Sequence, residues 1–140
     1  MSAADLLIRL EIATEGSGEL DAEVAAYLAG ATPERQPDGR TAYHRDGHWV
    51  SIRPILPVTR SVDAAMTLVP APTAALRYST VVWGPGAPPS FKTPGAKVLT
   101  YRPDPDAEGG WSIGGMPEVH AATPALSLTI AVIKVREYLR

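Results

Sequence analysis

Hydrophobic positions near the start of the chain recur with helical rather than strand spacing. Leu6, Leu7 and Leu10 form one stripe behind Ser2 and Asp5, whose spacing resembles a capping box, and this predicts a helix over residues 3–14. Gly16 and Gly18 interrupt the pattern. Leu20, Val24, Tyr27 and Leu28 then recur at i, i+4, i+7 and i+8, giving a second amphipathic helix that ends at Gly30. ATPERQPDGR reads as a polar connection. After it, RTAYHRDGHWVSIRP alternates around Asp46-Gly47, a dipeptide suited to both central positions of a type I′ turn. That turn sets Arg45 opposite His48, His44 opposite Trp49, Tyr43 opposite Val50 and Arg40 opposite Arg53. Tyr43, Val50 and Ile52 then share a core-facing side, and Arg40, His44, Trp49 and Arg53 share the other.

Further along, Ser61 is placed to cap a short helix carrying Val62, Ala65, Met66 and Val69, stopped by Pro70 and Pro72. RYSTVVWG and KVLTYRP have strand composition and are joined by the surface loop GPGAPPSFKTPG; GGWSIGG adds a short strand. The last segment is the clearest helix. Thr123 caps it, Pro124 takes the first helical position, and Leu128, Val132, Val135 and Leu139 make a stripe that Leu126, Ile130 and Ile133 widen. So wide a stripe implies either deep burial or contact with a second subunit. The fold class expected is α+β: an antiparallel sheet of about four strands packed with N-terminal and C-terminal helices, an α-β-α sandwich. Trp111 and Tyr101 are assigned to its core.

Length changes this picture little, since 140 residues suit one domain over 1–140 with a core of its own. The absence of cysteine excludes a disulfide framework, thiolate-bound zinc and a cysteine nucleophile. Asp5, Arg9 and Glu11 inside the first apolar pattern exclude a signal peptide or membrane span there, and the expected location is cytoplasmic. Charge is more informative. Residues 1–39 hold eight acids against Arg9 and Arg35, whereas residues 40–102 hold eight bases against Asp46 and Asp63. Either acidic helices and a basic sheet attract each other within the fold, or the central segment meets an anion.

His44 and His48 stand four apart, which clusters ligands on a helix but sends them to opposite faces of a hairpin, so no metal is expected between them. What the hairpin offers instead is an indole among guanidinium groups. Trp49 or Trp83 would stack a planar group while Arg40, Arg53, Arg60, Lys92, Lys97 or Arg102 take phosphate oxygens, with His44 alongside. No catalytic residue is assigned. His48-Trp-Val-Ser51 and His120-Ala-Ala-Thr123 each carry one residue too many for a two-histidine phosphodiesterase, Ser51 and Ser79 lack elbow glycines, and Asp104 and Asp106 suit a turn. His120 reads as a packed surface histidine. No cofactor is expected, and the net charge of −2 without a continuous basic helix gives no support for specific DNA binding.

Glu19-Leu20-Asp21-Ala22, TRSVDAAMTLVP and AATPALSLTIAVIKVREYL resemble the phage ABA sandwich domain family of small bacteriophage and prophage proteins. The matches bracket nearly the whole chain. After Pro70 the chain departs from the family pattern, continuing APTAALRYSTVVW where a Gly-Trp pair would follow. The resemblance implies an α-β-α sandwich in a phage protein acting inside a bacterial cell. It also implies, by analogy with other compact phage proteins, a non-enzymatic sponge that sequesters a nucleotide second messenger of anti-phage defence. The alternative is an interaction module acting on a host or phage protein. A homo-oligomer through the C-terminal helix or the sheet is expected in either case.

Overall fold

The computed structural model describes residues 2–85, 93–114 and 118–139. Helix α1 (Ala3–Ile12) begins where expected: Ser2 Oγ accepts from the Asp5 N–H at 3.2 Å and donates to its carboxylate at 2.7 Å. Helix α2 (Gly18–Leu28) starts earlier than the apolar pattern does, because Ser17 Oγ accepts from the Leu20 N–H at 3.1 Å. Strands β1 (Thr32–Arg35), β2 (Thr41–Arg45) and β3 (His48–Val50) form an antiparallel sheet in that order. The β2–β3 register is the one the turn dictates, with Asp46 and Gly47 both at positive φ.

β1 corrects the reading of ATPERQPDGR as a mere connection. Thr32 to Arg35 pair with His44 to Thr41, and the Gln36 N–H donates to Arg40 O at 2.8 Å across the turn. The expected opposition of Arg40 and Arg53 is also corrected, since β3 ends at Val50 and the chain leaves the ladder before residue 53.

Helix α3 (Val62–Met66) is capped by Ser61. Strands β4 (Arg77–Trp83), β5 (Gly95–Pro103), β6 (Trp111–Gly114) and β7 (Val119–His120), the last not expected from the sequence, make a four-stranded antiparallel sheet separate from the hairpin; β4 lies on one side of β5, and β6 and β7 lie on the other. Helix α4 (Pro124–Tyr138) closes the chain behind Thr123 and Pro124. The fold is α+β and consistent with an α-β-α sandwich, with a second, three-stranded sheet beyond the one expected.

The core forms around α4. Every residue from Ala125 to Ile133 is buried, together with Val135, against β5, β4, β7, α1 and α3. Of the two readings of the wide stripe, deep burial within the chain accounts for the residues up to Val135. Cutting Leu128 or Ile130 back to alanine would cost about 2–5 kcal/mol each. A smaller apolar cluster of Ala26, Ala31 and Ile52, joined by Tyr43 and Val50, seats the three-stranded sheet on α2.

One polar contact fixes the position of α2. The Asp21 side chain is fully buried (0 % exposed), and its Oδ1 accepts from the Thr59 N–H at 2.8 Å and the Thr59 hydroxyl at 2.5 Å. Its Oδ2 accepts from Arg60 Nε and Nη2, both at 2.9 Å. Gly16 lets the two segments close up, since a Cβ there would lie 1.9 Å from Thr59 O. From the other side, the Thr129 hydroxyl of α4 donates to Val58 O at 2.9 Å.

Removing Asp21 would leave the buried Thr59 N–H and hydroxyl short of their acceptor, while half-exposed Arg60 could turn to solvent. Asp21→Ala should lower the unfolding free energy in urea by about 1–3 kcal/mol and Gly16→Ala should also destabilise, whereas exposed Asp63→Ala should change it by under about 0.5 kcal/mol. Equal, small effects of all three would contradict this placement.

Glu23 of α2 supplies a pH test. Burial pushes its carboxyl above the ordinary value of 4.5, against the opposing pull of Arg9, which donates to Oε1. A carboxyl that titrates higher when folded adds stability below its unfolded pKa and loses that contribution as pH rises through the folded value. Glu23→Gln should thus gain on the wild type as pH rises from about 4 to 7 in paired urea titrations. A constant difference would refute the shift.

Candidate functional site

The sequence-predicted cations and aromatics separate onto two sheets. On the outer face of the three-stranded sheet, Trp49 is 63 % exposed and meets the His44 ring edge-on, with centroids 5.6 Å apart. His48 pairs with Arg45 and so occupies the opposite face. Trp83 and Lys97 belong instead to the outer face of the four-stranded sheet. Arg102 is exposed near the end of β5 with the opposite alternation. Lys92 lies outside the described residues.

Several of the expected ligand cations already have work in the fold. Arg60 holds the buried Asp21 carboxylate, so its place among the ligand residues is corrected: releasing it would leave a buried charge short of its partner. Arg40 is exposed and stands 3.8 Å from Asp38. Glu34 Oε2 lies 3.7 Å from His44 Nε2, which offsets the positive character of that face. Arg45 donates to Ala29 O at 2.8 Å, where a cation suits the C-terminal end of α2. Arg53 is different. Among the described residues it makes no ion pair or hydrogen bond, and it is exposed beside two grooves.

The early end of β3 creates one of those grooves. It measures about 420 Å³ and is lined by Thr41, Trp49, Ser51, Arg53 and Ile55 among others. The Gln36–Arg40 hydrogen bond shows that even-numbered residues of β2 bond toward β1, so Thr41 directs its N–H and C=O toward β3. No backbone hydrogen bond joins Thr41 to Ile52, where a longer β3 would have supplied one. The groove therefore combines an exposed indole with a guanidinium and a main-chain donor–acceptor pair that have no partner among the described residues. Thr41 was not foreseen. Pro54, which lacks an N–H, was the signal that the ladder would stop short.

The second groove, about 350 Å³, shares the Ser51–Arg53 wall but is otherwise apolar, running between Val24, Ala25 and Leu28 of α2 and Leu56 and Leu68. On the four-stranded sheet, Trp111 and Tyr101 correct their assignment to the core. Pairing puts both on the outer face with Arg77, whose guanidinium lies 4.2 Å from the centre of the Trp111 ring. At the other end, the Trp83 ring crosses Gly95, where a Cβ would meet it at 2.3 Å, and approaches His120.

No protein-family model, curated protein or solved structure matches this chain. Among the described residues, no helix is long and apolar enough to cross a membrane. The groove carries its own test. Trp49→Phe should leave stability within about 0.5 kcal/mol of wild type while removing the most acrylamide-accessible component of tryptophan fluorescence. Unchanged quenching would place Trp49 elsewhere.

Proposed function

We propose that this protein binds a nucleotide without transforming it, at the groove between Trp49 and Arg53. The observation that carries the reading is the 63 % exposed indole beside a guanidinium that has no partner among the described residues, in one groove of about 420 Å³. Exposing so large an apolar ring to water is unfavourable, and stacking a base on it is worth roughly 1–3 kcal/mol. Arg53 offers a planar fork of donors for phosphate oxygens. The Thr41 N–H and C=O suit the adjacent donor and acceptor on the edge of a nucleobase.

Three contacts of this kind support binding, and the reading includes no general base or nucleophile. A binder that only holds its ligand acts by lowering the ligand's free concentration. Taken with the resemblance to small phage proteins, this supports a sponge for a nucleotide second messenger of bacterial defence. A second reading, an interaction module acting on a host or phage protein, draws on Val81 and Ile113, which are 50 % and 64 % exposed on the outer face of the four-stranded sheet.

A thermal-shift panel of cyclic and linear nucleotides tests the first reading. Ligand at a hundred times its dissociation constant adds about 2.7 kcal/mol, a rise of roughly 5–10 °C for a chain of this size. Trp49→Ala and Arg53→Ala should each weaken binding by about tenfold or more while leaving the unliganded melting temperature nearly unchanged. If no nucleotide shifts the transition at several hundred micromolar, the proposal fails.

A further inference from the structure

Sheet edges expose unpaired backbone groups, and folded proteins blunt them with short strands, prolines or charges. Three edges here are blunted in this way. β1 carries Pro33, Glu34 and Arg35 in four residues; β3 is three residues long; β6 and β7 have four and two. β4 is the exception. It runs for seven residues, RYSTVVW, with no proline, no glycine and no acid, and Arg77 is its one charge. It borders β5 on one side only, and none of its residues makes a backbone hydrogen bond outside that ladder among the described residues. Its composition is that of a strong strand former.

We infer that β4 pairs with β4 of a second copy of this chain, antiparallel about a twofold axis at Thr80, so that the two four-stranded sheets become one. The strand is complementary to itself in that register. On the outer face, Ser79 of each copy meets Val81 of the other, while Arg77 and Trp83 lean back across β5 toward Trp111 and Gly95 and leave the edge clear. On the inner face, Tyr78 meets Val82 and Thr80 meets its own counterpart. No two like charges stand opposite each other. The two Arg77 side chains lie at opposite ends of the paired strands, so repulsion does not oppose the contact. Exposed Val81 and the half-buried Tyr78 and Val82 are covered in one step. A twofold pairing also closes on itself and leaves as free edges only the short strands on the far sides of the two sheets.

Sedimentation equilibrium from micromolar to several hundred micromolar protein reads this directly. The wild type should rise from 14.8 kDa toward twice that mass. Ser79→Lys/Val81→Lys places lysines opposite lysines across the axis and should remain monomeric, with an unchanged circular dichroism spectrum because both positions reach solvent. Ser79→Glu/Val81→Lys sets opposite charges face to face and should restore the dimer. The chain has no cysteine, so an equimolar mixture of Ser79→Cys and Val81→Cys provides a second readout with little demand on folding. On oxidation the mixture should give a mixed disulfide dimer in higher yield than either variant alone. A wild type that stays monomeric throughout, or a Glu/Lys variant no more dimeric than the Lys/Lys one, overturns the proposal. So does a mixture that cross-links no better than its components, which would point instead to an extended peptide of another protein as the strand's partner.

Discussion

The buried carboxylate of Asp21 is the contact on which the arrangement of the other elements depends. A charge with no exposure is costly unless every lone pair finds a donor, and here two oxygens receive four: the Thr59 N–H and hydroxyl, and Nε and Nη2 of Arg60. The segment so held does more than satisfy α2. Val58, one residue before, accepts from Thr129 of the central helix, and Ser61, one residue after, caps α3. Within a few residues the chain is thus fastened to α2, α4 and α3. The three-stranded sheet leads into this segment and the four-stranded sheet follows from it. If it shifted, both sheets would move relative to the core.

A consequence of that clamp is where apolar surface remains. Because α4 is buried from Ala125 to Ile133, most of its wide apolar stripe is used inside the chain. Apolar surface remains on the outer faces of the two sheets, at the β4 edge, and on α1, where Ile8 and Ile12 are exposed one turn apart. The sheets differ in kind: one carries a single large exposed ring beside an open groove, the other a set of half-buried aromatics with exposed valine and isoleucine between them. Their separation means that a ligand at Trp49 and a partner at β4 would not compete for the same residues.

Legibility in the sequence followed the range of the interaction. Caps at Ser2, Ser61 and Thr123 involve neighbours three residues away, and each was readable. The β2–β3 register followed from two turn residues. Arg60 was misread because its partner lies 39 residues away, so nothing local distinguished a structural guanidinium from a free one. β1 was missed because an edge strand wetted on one side and blunted by Pro33 has almost no apolar alternation. Tyr101 and Trp111 were placed in the core on size alone. In β5 both alternating sets mix apolar and polar residues, Lys97 with Leu99 and Tyr101, and Val98 with Thr100 and Arg102, so the inward face could not be chosen without knowing where α4 lies.

Charge segregation along the chain resolves in the same way. The acidic N-terminal segment and the basic middle meet at Asp21–Arg60, at Glu34–His44 and at Asp38–Arg40, while Arg9 engages Glu19 and Glu23 within the acidic segment itself. Mutual attraction of the two halves thus accounts for part of the imbalance and leaves the rest. Arg77 is turned onto an indole, and Arg53 has neither a carboxylate nor a ring as partner among the described residues. A cation held for stability would be drawn toward one of the acids of α2, since the apolar groove between them is lined by Asp21 as well. Arg53 instead lies exposed on the wall shared by the two grooves, one of which Trp49 also lines.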